Sequence, residues 1–377
     1  MDYAPLSVTK QGIFPQLENV AKTNDGDNRK LVKEGDFVIN SRSDRKGSSG
    51  VSGLDGSVSL INIVLQPRKV LFGPFCNYLL KSYGFIEENY RNGRGIVADL
   101  WTTRYDEMKM IKVAMPSFEE QKNISSYLDA VTSKIDKAIA MQQKMIDLLN
   151  ERKQIIIQNA VTKGLDENVE MKDSGVEWIG MIPKHWKVRR GKFLFRVVNE
   201  YSTTGQEELL TVSDRTGITP RSMKNVNMFM SESLIGYKKC QKGDICSNIM
   251  WMWHGAVGVT EYNGVISPSY GVYRQIAFSY DNKYLDYMLR LPRLVEVYGN
   301  CSTGLTESRL RLYPDDFMNL QFFVPPLEEQ KCIVLQIQKQ IIAIEKSIEN
   351  AEKLIDLLQE RKQITINEVV TGKVKVS

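Results

Sequence analysis

The sequence contains itself twice, and no other feature limits its possible folds as strongly. Sliding the chain by 209 positions lays Lys144–Ile157, KMIDLLNERKQIII, on 353–366, KLIDLLQERKQITI, with eleven of the fourteen positions identical. At the same shift Pro116-Ser117-Phe118-Glu119-Glu120-Gln121-Lys122 falls on Pro325-Pro326-Leu327-Glu328-Glu329-Gln330-Lys331, and Val161-Thr162 falls on Val370-Thr371. Between these segments the match is faint. Tyr78-Leu79-Leu80 meets Tyr287-Met288-Leu289, and Gly95 meets Gly304. With small slips Lys33-Glu34-Gly35-Asp36 meets Gln241-Lys242-Gly243-Asp244, and Gly12-Ile13-Phe14-Pro15 meets Gly217-Ile218-Thr219-Pro220. Each half is therefore a divergent domain followed by a segment nearly the same in both copies. A shared segment implies a shared partner or scaffold, whereas divergent domains imply two different targets. Two full periods need more than the 377 residues present, and the stretch without a counterpart is the leader of the second half, roughly Asp173 to Glu208.

The shared segments read as long helices. Proline is tolerated in a first helical turn, and the carboxylates behind Pro116 and Pro325-Pro326 complement the helix dipole. Downstream, apolar residues recur at Val334, Ile337, Ile341, Ile344, Ile348, Ala351, Ile355 and Leu358, in steps of three and four. The first copy carries Leu128, Ile135, Ile139, Ile146 and Leu149 on the same stripe, with Ser125, Thr132 and Gln142 as polar exceptions. A sustained period of 3.5 is a coiled-coil seam. No proline or glycine interrupts Glu119–Lys163 or Glu328–Thr371, so each helix is expected to run about 60 Å. Two near-identical stripes in one chain are most simply satisfied by antiparallel pairing with each other.

The divergent domains have strand-and-turn character. The runs Asp36–Ile39, Ser59–Val64, Gly258–Thr260 and Gly271–Tyr273 are β-rich, and Asp55-Gly56 and Asn263-Gly264 are hairpin turn signals. The expected fold is α+β: two pseudo-symmetric domains separated by a pair of long antiparallel coiled-coil helices.

Composition narrows the chemistry. Fifty Lys+Arg against 45 Asp+Glu leave a net charge of +5, which permits a nucleic-acid partner without requiring one. No apolar run approaches the ~20 residues of a membrane span, and the start MDYAPLSVTK has no signal-peptide pattern. Five scattered cysteines without a CxxC pair, with only His185 and His254, point to a reduced, cytoplasmic protein with no local metal motif. There is no GxxxxGK[ST] loop, no GxGxxG after a strand and no GxSxG. The pattern is that of a binder, with neither catalytic residues nor a cofactor of its own.

Two pairs of loops are candidates for contact. Asn40–Gly50 is basic, hydroxyl-rich and glycine-rich, with Arg42, Arg45, Lys46 and Ser49 suited to phosphate or base contact. Its counterpart around Asn248, Trp251, Trp253 and His254 replaces the cations by aromatic faces, a difference that reading different base edges would require. The second pair is Arg91–Gly95, with Arg94, and Gly299–Gly304, with Ser302 and Thr303 followed by Arg309. Lys10 and Arg215 are weaker candidates near the first strands.

These residues resemble the specificity subunits of type I restriction-modification systems. The carrying features are PSFEEQ at 116–121 and PPLEEQ at 325–330, each opening a long helix, then LLNERKQ at 148–154, LLQERKQ at 357–363 and AVTKG at 160–164. The leader WIGMIPKHW at 178–186 is similar as well. The resemblance implies a noncatalytic subunit. It implies a target-recognition domain at 1–115, a spacer helix at 116–163, a leader and second recognition domain at 164–324, and a second spacer helix at 325–377. Each domain would read one half of a bipartite, asymmetric site in double-stranded DNA, and the helices would set the spacing and dock modification subunits. Those subunits would carry S-adenosylmethionine, and a motor-nuclease subunit would complete the restriction complex. The departure from the family pattern is the lack of a leader before the first domain. An interaction scaffold joining two protein-binding modules fits the repeat equally well, but not the basic loop.

Overall fold

The computed structural model describes residues 3–16, 28–96, 101–223, 233–306 and 309–376. It forms two compact units, Met1–Ile146 with Glu349–Ser377, and Asp147–Ile348. Both mix helix and strand, as the α+β expectation requires.

In the first unit β1 (Leu6–Val8) and β2 (Ile13–Pro15) form a hairpin, and β3 (Arg29–Val32) pairs with β6 (Gly56–Ser59). A three-stranded antiparallel sheet places β4 (Phe37–Asn40) between β5 (Ser49–Val51) and β7 (Asn62–Leu65). Helices α1 (Gly73–Leu80), α2 (Tyr83–Arg91) and α3 (Tyr105–Met108) follow, then α4 (Phe118–Lys163). Phe37, Ile39, Cys76, Phe85 and Met108 fill the space between sheet and helices.

The second unit opens with the leader: β8 (Met171–Asp173) and β9 (Met181–Pro183) pair, and β10 (Lys187–Arg190) pairs with β19 (Gln321–Val324). Next come β11 (Phe195–Val197) and the hairpin β12 (Leu210–Ser213)–β13 (Gly217–Pro220). The sheet orders β11, β18 (Gly271–Gln275), β15 (Ile245–Ser247) and β16 (Val257–Val259), while β14 (Lys238–Cys240) pairs with β17 (Gly264–Ile266). Helices α5 (Asn282–Leu289), α6 (Pro292–Cys301) and α7 (Pro314–Asn319) lead to α8 (Leu327–Val370). The order of pairings repeats that of the first unit: β15 lies between β16 and β18 as β4 lies between β5 and β7.

Two expectations fail here. Asp55-Gly56 and Asn263-Gly264 do not close hairpins, because β5 and β6 pair with different strands, as do β16 and β17. Neither glycine has a positive φ, which a type I′ turn would need. Each is required instead by a crossing strand. A Cβ on Gly56 would lie 2.6 Å from the Ala4 carbonyl oxygen, and one on Gly264 only 2.4 Å from that of Glu208. The neighbouring carboxylate and amide lock loops together, Asp55 accepting from the Glu34 N–H and Asn263 from that of Lys242. The run 59–64 likewise breaks into the end of β6 and the start of β7.

The long helices match the seam. Leu128, Ile135, Ile146, Ile337, Ile341 and Ile344 are buried, while Ile139, Leu149, Ile348, Ile355 and Leu358 are half-buried. The buried polar exceptions are satisfied within their own helix, Ser125 donating to the Gln121 carbonyl and Thr132 to that of Leu128. In the first unit Ile124 and Leu128 share a core with Ile366, Val369 and Val370, and Lys362 Nζ reaches Asp136 at 2.6 Å. In the second, Val161 packs with Ile333, Val334 and Ile337, and Lys153 pairs with Glu345. In both units rising numbers on α4 meet falling numbers on α8, so the pairing is antiparallel. The two ion pairs are also equivalents of each other under the 209-residue shift.

The PxxExQ motif acts as a clamp. Gln121 is buried; its amide oxygen accepts from the Phe72 N–H at 2.7 Å and its nitrogen donates to the Val70 and Pro116 carbonyls at 3.0 Å. Gln330 repeats this with the Asp281 N–H and the Ser279 and Pro325 carbonyls, each at 2.9 Å. One side chain thereby fixes a helix start to the loop preceding α1 or α5. In the second unit Glu329 also accepts from the Trp186 indole at 3.1 Å and lies 2.8 Å from His185 Nε2, anchoring the leader.

Candidate nucleic-acid interface

The loop after β4 is shaped by its first residue. Asn40 Oδ1 accepts from the Arg42 N–H at 3.0 Å, a 3-10 turn follows at Ser43–Arg45, and Gly47 at φ +78° returns the chain to β5. The loop after β15 has the same length and the same devices. Asn248 Oδ1 accepts from the Met250 N–H at 3.2 Å, the 3-10 turn spans Met252–His254, and Gly255 has φ +87°. Each positive-φ glycine serves because a side chain there would be strained.

Each loop is joined to the second candidate loop of its own domain. In the first unit the Thr103 N–H donates to the Ser41 carbonyl at 3.0 Å, and Thr102 bridges to both Arg42 and Arg94. In the second the Leu312 N–H donates to the Ile249 carbonyl at 3.1 Å, and Thr303 bridges to Arg311. Residues 40–47 therefore form one surface with 94–96 and 101–103, as 248–255 do with 302–306 and 309–312.

The surfaces differ chemically. Arg42 and Arg45 are exposed, and Arg45 approaches Asp44 at 3.6 Å. Arg94 is exposed beside Glu107 at 3.5 Å. Lys46 is internally engaged, 2.7 Å from Glu87 and over the Tyr90 ring, and Ser49 is buried inside the sheet. Asn248 is buried as well. Its amide nitrogen donates to the Tyr270 hydroxyl at 2.8 Å, so it shapes the loop from below; burial raises the Tyr270 pKa. On the surface, Trp251 and Trp253 lie nearly parallel with centroids 6.2 Å apart, and His254 packs on Trp253 at 4.1 Å. The Trp253 indole is tied to the Met250 carbonyl at 2.9 Å. Thr303 and Arg309 are exposed, while the Ser302 hydroxyl is used by the Tyr298 carbonyl.

Lys10 and Arg215 sit on the turns of the β1–β2 and β12–β13 hairpins, and both are exposed. The Thr9 carbonyl next to Lys10 accepts from the Ser49 N–H, which ties that turn to β5. The Arg215 carbonyl is held by Arg290 at 2.9 Å. Arg215 and His254 line a cleft of about 400 Å³ with Lys153, Lys283, Arg290 and Asp286. Asp286 has its pKa raised by burial, opposed by the Val259 N–H and by the charges of Arg290 and Lys283. Sequence reasoning missed Trp101, whose indole donates to the Tyr90 carbonyl at 2.9 Å, as well as Arg290 and Asp286, because no spacing links them to the residues they hold. Among the described residues no group of three or more His, Cys, Asp or Glu side chains could hold a metal ion, and no helix is long and apolar enough to cross a membrane.

Comparison with known proteins agrees with the motifs. No protein-family model matches the chain. A putative type I restriction enzyme MjaX specificity subunit from Methanocaldococcus jannaschii is 24% identical over 289 residues, covering 72% of this chain and 61% of that protein. The type I restriction enzyme MjaVIII specificity subunit of the same organism is 24% identical over 281 residues, covering 71% and 63%. The matches thus span less than two thirds of these relatives. Among solved structures, a chain from work on complex assembly and conformational transition of the type I R-M system superposes with a TM-score of 0.71 at 14% identity, over 99% of this chain and 92% of that one. The HsdS subunit of Thermoanaerobacter tengcongensis gives 0.51 at 16% identity, over 99% and 91%. In sequence and in fold, this chain is similar to the type I restriction specificity subunits.

Proposed function

We propose that this chain is the DNA-reading, noncatalytic subunit of a type I restriction-modification complex, each divergent domain addressing one half of a bipartite, asymmetric site in double-stranded DNA. The observation that carries this reading is a shared loop frame with different contents: guanidinium groups at 42 and 45 in one domain, indoles at 251 and 253 in the other. Positioning groups are held alike while the groups able to touch bases differ, which is what reading two different words needs.

Docking of modification subunits is supported by the helices. Away from the seam, α4 exposes Met145, Leu148 and Ile155, and α8 exposes their repeat equivalents Leu354, Leu357 and Ile364. Duplicated apolar stripes of this kind suit two copies of one helical partner. S-adenosylmethionine then belongs to those subunits, and the motor-nuclease subunit joins the same assembly. The paired helices set the number of bases between the half-sites.

The decisive experiment exchanges residues 1–115 for the corresponding domain of another such subunit and maps methylation in cells carrying the complete system. One half of the methylated word changes and the other stays; a change in both halves, or in neither, refutes the reading. Adding one in-register heptad to each long helix, about 10.5 Å, lengthens the gap by about three base pairs.

A further inference from the structure

We propose that the second recognition domain reads thymine, through the 5-methyl group packed against the exposed indole of Trp251. This rests on the DNA-reading function proposed above and names the chemistry of one half-site.

Trp251 is 54% exposed, which leaves about half of its indole open to a partner. It does not swing freely. Its ring lies 5.3 Å from the His254 ring at 23° and 6.2 Å from that of Trp253 at 15°. The stack is fixed beneath by the Trp253 indole bond to the Met250 carbonyl, and the turn carrying it is closed by the His254 N–H donating to the Trp251 carbonyl. The loop therefore presents a rigid aromatic surface whose ordering entropy is already met by internal contacts. At the place of Trp253 in the frame the first domain carries Arg45, a residue with hydrogen bonds to offer.

An aromatic surface selects differently from a guanidinium. Arginine forks onto guanine O6 and N7, or onto phosphate. The apolar group that a base pair displays in the major groove is the thymine methyl, and apolar side chains read it by contact. A pre-ordered indole in the loop that replaces an arginine loop is thus matched to an A·T pair with its methyl toward the protein.

The test uses the complete methyltransferase complex and its mapped site, with the halves assigned by the 1–115 exchange. Uracil replaces thymine, one position at a time, in each half; this removes the methyl and leaves every hydrogen-bonding group. One position in the half read by the second domain loses about fourfold in affinity, the value of one buried methyl-sized group. With Trp251→Ala that uracil effect disappears, and with Trp251→Phe it is kept. If sequence-specific binding persists but uracil is neutral throughout that half, the thymine assignment is overturned and the DNA-reading function stands. Absence of sequence-specific binding by the assembled complex overturns the function itself. The uracil series on the unmodified protein needs no variant, so it decides the matter even if Trp251→Ala fails to fold.

Discussion

Gln121 and Gln330 each satisfy three backbone groups that would otherwise be stranded where a long helix meets its domain. The motif containing them was visible in the sequence as a repeated PxxExQ. Its purpose was not, because the partners at 70, 72, 279 and 281 lie about 50 residues upstream with no pattern of their own. Gln330→Ala leaves one buried N–H and two carbonyls without partners and is expected to lower stability by about 2–3 kcal/mol in chemical denaturation. Gln330→Glu keeps the acceptor but turns the donor against two carbonyls, so it does not rescue. Asp286 offers a titration test. Burial raises its pKa in the folded chain, so its neutral form is the compatible one. That contribution is complete below the unfolded carboxyl value and lost as pH rises through the raised folded value. Asn77 does the equivalent work in the first domain, accepting from the Val51 N–H as Asp286 accepts from that of Val259. Asp286→Asn is therefore expected to raise the melting temperature at pH 7–8 and leave it unchanged at pH 3. A rise of equal size at both pH values contradicts the assignment.

At the scale of elements, legibility depended on how many residues carried the signal. The seam was readable because its 3.5-residue period recurs over more than 40 residues in each copy. Strand pairing was less so: Asp55-Gly56 and Asn263-Gly264 are local turn signals, but these glycines answer to a crossing strand that is distant in sequence. Charged residues flanking the seam give its orientation a direct check. Lys362–Asp136 and Lys153–Glu345 are partly exposed, so each contributes about 0.5 kcal/mol. Lys362→Glu places two acids together and is expected to lower stability by up to about 1 kcal/mol, and adding Asp136→Lys restores most of it. A double-mutant cycle with no coupling would show that the two residues do not meet in solution.

For the whole molecule, the repeat was the legible part and the interfaces were not. The duplication implied one element order for both halves, because halves with the same frame place the same strands and helices in the same sequence. Which loop residues remain outside was decided by three-dimensional neighbours: Lys46 by Glu87, Ser49 by the sheet, Asn248 by Tyr270. On the proposed DNA-reading function, a net charge of +5 gives only a weak general positive field, so affinity in the assembled complex would depend on a few placed cations. Arg42 and Arg45 are exposed and weakly engaged, and each contributes roughly one counterion-release increment if it meets phosphate. Arg42→Ala with Arg45→Ala is then expected to flatten the plot of log affinity against log salt by about 1.8 units, whereas Trp251→Ala leaves the slope unchanged, since an indole displaces no counterion. Measured on one complex and one site, the pair of slopes separates electrostatic reading by the first domain from apolar reading by the second. Equal slopes for all three proteins would mean that the arginine loop does not touch the backbone, and would move the phosphate contacts to other cations such as Lys10, Arg94 and Arg309.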